Sequence, residues 1–65
     1  MGMAMAELRS RFLSIYANLP ANLRKEVIVI VGEEPYTWNV VYLEVKAETP
    51  LGETILKKLV ELELL

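Results

Sequence analysis

Val27-Ile28-Val29-Ile30-Val31 is an unbroken run of β-branched residues, and it constrains this chain more than any other segment. A helix would restrict χ1 in all of them, whereas a pleated strand accommodates them without loss. The run predicts a strand that is apolar on both faces, so both faces need cover. Gly32-Glu33-Glu34-Pro35 follows and reads as a reversal. Glycine admits unusual dihedrals there, and proline cannot continue a central ladder. The chain therefore returns from about Tyr36, which gives a β-hairpin over about 26–31 and 35–37.

The cover has to come from the rest of a short chain. Sixty-five residues form one domain, 1–65, near the lower limit for unaided folding. A domain this small buries only about 60% of the surface its unfolded chain exposes. Disulfides, structural zinc and imidazole ligands are excluded, because the chain has no Cys and no His. Apolar residues make up 54% of the chain, above the usual 45–50% or so. Oligomerisation is the remaining way to add burial.

Helices should flank the hairpin. Met5, Leu8, Phe12, Ile15 and Leu19 recur at steps of three and four, predicting a helix over about 3–17 with one apolar stripe. Pro20 ends it, and a further helical turn through Leu23 suits proline at a first helical position. At the other end, Thr49-Pro50 is a cap followed by an N1 proline, and a helix follows. Leu51, Ile55, Leu56, Leu59, Val60 and Leu62 cover an arc of roughly 180°, wider than the roughly 100° that one core contact needs. The excess points to a second subunit, with Leu56, Leu59, Val60 and Trp38 as the interface residues.

Two readings compete for residues 36–47. Aromatic and β-branched residues favour a long second strand over 36–46, which makes an αββα chain. Eleven residues, however, would outrun their partner and leave an unpaired edge. With Thr37 as N-cap, a helix over 38–47 instead aligns Trp38, Val41, Tyr42 and Val45. We take the helix. The expected fold class is α+β: an N-terminal helix, the hairpin, then one short and one longer C-terminal helix.

Little in the chain supports catalysis. Ser10 and Ser14 have no histidine to activate them. Glu33 and Glu34 are adjacent turn residues whose side chains diverge into water, unlike the carboxylates held across a glycosidase cleft. Gly2, Gly32 and Gly52 match no phosphate-binding spacing. No catalytic, metal or cofactor-binding residue is assigned, and no cofactor is expected.

The remaining expectations concern partners and place. Tyr36, Trp38 and Tyr42 resemble a base-stacking platform, yet only Lys46 is interleaved with them among several glutamates, so core or interface anchoring is the better reading. Net charge −2 and a pI near 5.0 argue against bulk attraction to nucleic acid. A nucleic-acid-associated regulator using Arg9, Arg11, Arg24 and Lys25 is the alternative function. No apolar run approaches the roughly 20 residues of a membrane span, and Met1 to Ala6 lacks the pattern of a signal peptide. The Glu, Lys and Arg bias, with no Asp or Gln, resembles thermophile composition. The expectation is a non-enzymatic, homodimeric, cytoplasmic interaction module.

Overall fold

The computed structural model describes residues 4–65. Helix α1 spans Met5–Ala17, and a 3₁₀ turn at Ala21–Lys25 follows Pro20. Strands β1 (Val27–Val31) and β2 (Glu34–Thr37) form an antiparallel hairpin. Helices α2 (Trp38–Lys46) and α3 (Pro50–Glu61) complete the chain. The α+β order expected from the sequence is present, and the long second strand over 36–46 is not.

Thr37 decides the fate of that segment. It is the last residue of β2, opposite Val27, and its Oγ1 accepts a hydrogen bond from Val40 N at 3.3 Å. The strand thus passes into α2 without a linker, because one side chain supplies the helix with its missing N-terminal acceptor. Trp38 N donates to the Glu26 carbonyl at 3.2 Å, which ties the start of α2 to the approach of β1.

The hairpin closes through Gly32 and Glu33 alone, with Gly32 at φ 65°. A positive φ at the first central residue belongs to the tight turns whose twist matches paired strands. Between Val27 and Val29 the register slips, and Ile28 forms a bulge. Pro35 sits within β2 opposite Ile30. Pairs alternate away from the turn, so Ile30 and Pro35 form a pair that shares no ladder hydrogen bonds. The missing N–H of proline costs the sheet nothing at that position.

The core comprises Leu8, Phe12, Val29, Val41, Val45, Ile55, Leu56 and Leu59. It lies where α1, α2 and β1 all meet α3. This arrangement corrects the reading of the wide apolar arc on α3. Leu56 and Leu59 are 1% and 2% exposed within a single chain, so they are interior residues and not interface residues. The arc is wide because three elements of the same chain pack against it. Only Val60 at its margin, 38% exposed, and Leu62 beyond the helix, 49% exposed, face out.

The stripe on α1 also differs from the expected one. Ile15 is exposed, and Tyr16 packs against the core instead. At 100° per residue Ile15 and Tyr16 lie on opposite edges of the stripe of Met5, Leu8 and Phe12, each about 20° outside it. Tyr16 is on the edge that meets α2. Trp38 is half-buried and stacks on Phe12 with centroids 5.7 Å apart. An ion pair, Arg9 to Glu48 at 3.1 Å, joins α1 to the turn between α2 and α3.

Candidate interaction surfaces

Two surface features stand out, one apolar and one cationic. The apolar one is the outer side of the hairpin. Val29 is 3% exposed, but Val27 and Ile30 are 53% and 58% exposed. The strand predicted to need cover on both faces has it on one. Pro35, across from Ile30, is exposed as well, so the outer face carries a cross-strand apolar pair. The N–H and C=O of Ile30 point away from β2. No other described backbone group bonds to them.

The two strand edges differ. β2 offers Glu34, a charge, and Pro35, which lacks a donor. β1 carries no charge and no proline from end to end. Charge and proline are the usual obstacles to further strand pairing. One edge of this sheet has both, and the other has neither.

The cationic feature is built from residues far apart in sequence. Tyr16 of α1 and Tyr42 of α2 stack with centroids 4.2 Å apart and planes 10° apart. The Arg24 guanidinium lies over Tyr16, 4.3 Å from its centroid, and Lys46 Nζ lies 5.6 Å from the Tyr42 centroid. Tyr42 occupies one face of Tyr16 and Arg24 the other, so the four side chains run in the order Arg24, Tyr16, Tyr42, Lys46. Tyr16 Oη donates to Asn39 Oδ1 at 2.7 Å, and Arg24 Nη2 donates to the Tyr16 carbonyl at 3.2 Å. These bonds fix both ends of the Tyr16 residue. A groove of about 470 Å³ runs along the stack, lined by Leu13, Tyr16, Ala17, Arg24, Tyr42 and Lys46.

Local sequence explains each placement. Tyr16 and Leu13 lie one turn apart on α1, and Tyr42 and Lys46 lie one turn apart on α2, so each pair shares a helix face. Arg24 arrives on the 3₁₀ turn that Pro20 starts. Tyr42 was expected to group with Tyr36 and Trp38; it groups with Tyr16. The i,i+4 spacing of Phe12 and Tyr16 puts them on one face of α1, but no sequence signal pairs Tyr16 with Tyr42.

The four cations of the alternative function do not form one patch. Arg9 and Arg11 are roughly 200° apart around α1. Arg9 pairs with Glu48, and Arg11 lines a different cleft with Ser10, Ser14, Ile15, Leu64 and Leu65. Arg24 is turned onto Tyr16, while Lys25 is exposed at the end of the 3₁₀ turn. Glu33 and Glu34 are both exposed. Among the described residues no group of three or more acidic side chains gathers to hold a metal ion, and no helix is long and apolar enough to cross a membrane.

Comparison of the chain with protein-family models, with curated proteins and with solved structures gives no match.

Proposed function

We propose that this protein is a non-enzymatic, homodimeric interaction module of the cytoplasm, joined through the outer side of β1. The observation that carries the reading is the exposure of Val27 and Ile30, at 53% and 58%, in a strand with no charge and no proline. A two-stranded sheet is marginal alone, and one more pairing along β1 makes it four-stranded. Two copies of an uncharged strand can lie antiparallel with no like strand charges opposed, although Lys57, Lys58 and Glu61 of α3 line the cleft beside Ile30 and Val31. A two-fold axis presents the same surface on both partners. Glu34 and Pro35 on the opposite edge stop further strands from adding. Assembly by this route therefore ends at two chains and does not continue into a filament. The non-enzymatic part of the reading rests on the sequence, which has no Cys, His or Asp to act as nucleophile, base or ligand.

Sedimentation equilibrium across a broad concentration range tests this reading. The wild-type chain should approach twice its 7.4 kDa mass. Ile30→Lys should give a folded monomer with an unchanged far-ultraviolet dichroism spectrum, because Ile30 contributes little to the core of one chain. A wild-type chain that stays monomeric at every concentration overturns the proposal.

A further inference from the structure

The Tyr16–Tyr42 stack holds two cations beside one groove, and neither has an acidic partner. All nine acidic residues lie among the described residues. Among the described residues their only ion pairs are Arg9 with Glu48 and Lys58 with Glu61. In a chain of net charge −2, two unneutralised cations at one groove are a local reversal of sign. Arg24 Nε is also sealed from solvent with no hydrogen-bond acceptor. The guanidinium is therefore open to a ligand only through its Nη atoms, one of which bonds the Tyr16 carbonyl.

The geometry of the stack limits what can meet these charges. Two stacked rings stand between Arg24 and Lys46, with successive spacings of 4.3, 4.2 and 5.6 Å. A single small anion must come within about 4 Å of each cation to pair with it, and cannot bridge the stack. Base stacking is disfavoured as well. Both faces of Tyr16 are covered, and Lys46 Nζ stands 5.6 Å from the Tyr42 centroid. A nucleobase therefore has no pair of ring faces to stack between and would have to displace Lys46. What remains between the cations is ring edge, Leu13 and Ala17, an apolar floor.

We infer that this groove binds an extended acidic peptide segment of a partner protein, with one carboxylate at Arg24, one at Lys46 and an apolar side chain on Leu13 and Ala17. In an extended segment, side chains at i, i+2 and i+4 share a face, and the outer two are about 13 Å apart. That spacing and alternation suit two cations separated by two rings. The charge pairing confers selectivity and the floor adds apolar burial.

The inference is independent of the dimer, because Tyr16, Tyr42, Arg24 and Lys46 are not on the hairpin. It is tested by titrating isotopically labelled protein with a capped Glu-Ser-Leu-Ser-Glu peptide, its Gln-Ser-Leu-Ser-Gln counterpart and an oligothymidylate, following backbone amide shifts. The acidic peptide should shift Ala17, Arg24, Tyr42 and Lys46 saturably at sub-millimolar concentration. The neutral peptide should bind about tenfold more weakly, and Lys46→Gln should cost about as much for the acidic one. Lys46 is exposed, so that variant keeps its fold, and Lys57→Gln on the outer side of α3 should leave binding unchanged. Absence of localised shifts at millimolar peptide, equal binding of the neutral peptide, or tighter binding of the oligothymidylate to the same residues would overturn the assignment.

Discussion

The carbonyl of Glu44 occupies the space that a side chain on Gly52 would need. An ideal Cβ on Gly52 would stand 2.7 Å from that oxygen and 2.9 Å from its carbon. Both atoms are backbone, so neither can swing aside. Helices α2 and α3 therefore approach as closely as they do only because position 52 is glycine.

Gly52→Ala should consequently destabilise the protein, against the usual direction. In an open helix, alanine in place of glycine gains about 1 kcal/mol. Here it forces α2 and α3 apart, and overpacking of this kind typically costs about 1–3 kcal/mol. The urea midpoint should fall with an unchanged slope. A raised midpoint would show that the two helices slide apart freely.

Thr49 reinforces the same junction. Its Oγ1 accepts from Gly52 N at 3.0 Å and donates to Glu44 Oε1 at 2.7 Å, so one hydroxyl caps α3 and holds α2. Thr49→Ala should cost about 1–2 kcal/mol, the upper part of the range for a lost cap. Thr37→Ala should cost less, because its bond to Val40 N is longer at 3.3 Å. Thermal melts of the two variants give the order directly, and Thr49→Ser should recover most of the loss.

Aromatic truncations should separate by burial. Phe12 is fully buried, and Phe12→Ala should cost about 3–5 kcal/mol. That is comparable to the whole stability of a domain this small. Trp38 rests on Phe12 but keeps part of its ring in water. Trp38→Ala should therefore cost less than Phe12→Ala, and the chain should remain folded at low temperature. Tryptophan emission should be moderately blue-shifted and partly quenched by iodide. Emission like that of free tryptophan would remove Trp38 from its place on Phe12.

How much of this was legible in the sequence depends on whether the cause was local. The start of α3 was readable because Thr49 and Pro50 act on their own backbone neighbours. The start of α2 was readable for the same reason, through Thr37 and Val40, although the segment's composition favours a strand. The bulge at Ile28 carries no local signal, since all five residues of β1 are chemically alike. Burial of Leu56 and Leu59 was misread because a helical wheel counts apolar width without counting neighbours, and α3 has three. The Tyr16–Tyr42 stack was invisible because it depends on how α1 and α2 come together. On the α1 wheel Tyr16 and Ile15 flank the stripe equally, and only the position of α2 makes Tyr16 the packed one.

Gly32 poses the opposite case to Gly52, and the two together separate conformational from steric cost. A Cβ on Gly32 would meet nothing within 4 Å, yet its φ is 65°. Space is therefore no obstacle to a side chain, but chirality is. An L-residue in the left-handed region costs roughly 1–2 kcal/mol, so Gly32→Ala should lower stability by about that amount. The D-enantiomer prefers the sign of φ found here and has fewer unfolded conformations than glycine. D-alanine at position 32 should therefore stabilise the hairpin by about 0.4–1 kcal/mol, through the unfolded state. Total synthesis makes both variants accessible at this length. Denaturant midpoints that move in opposite directions for the two enantiomers would establish a positive φ at the turn. Equal effects would mean that the strands are joined by some other turn, and that Val31 and Glu34 are not its flanking pair.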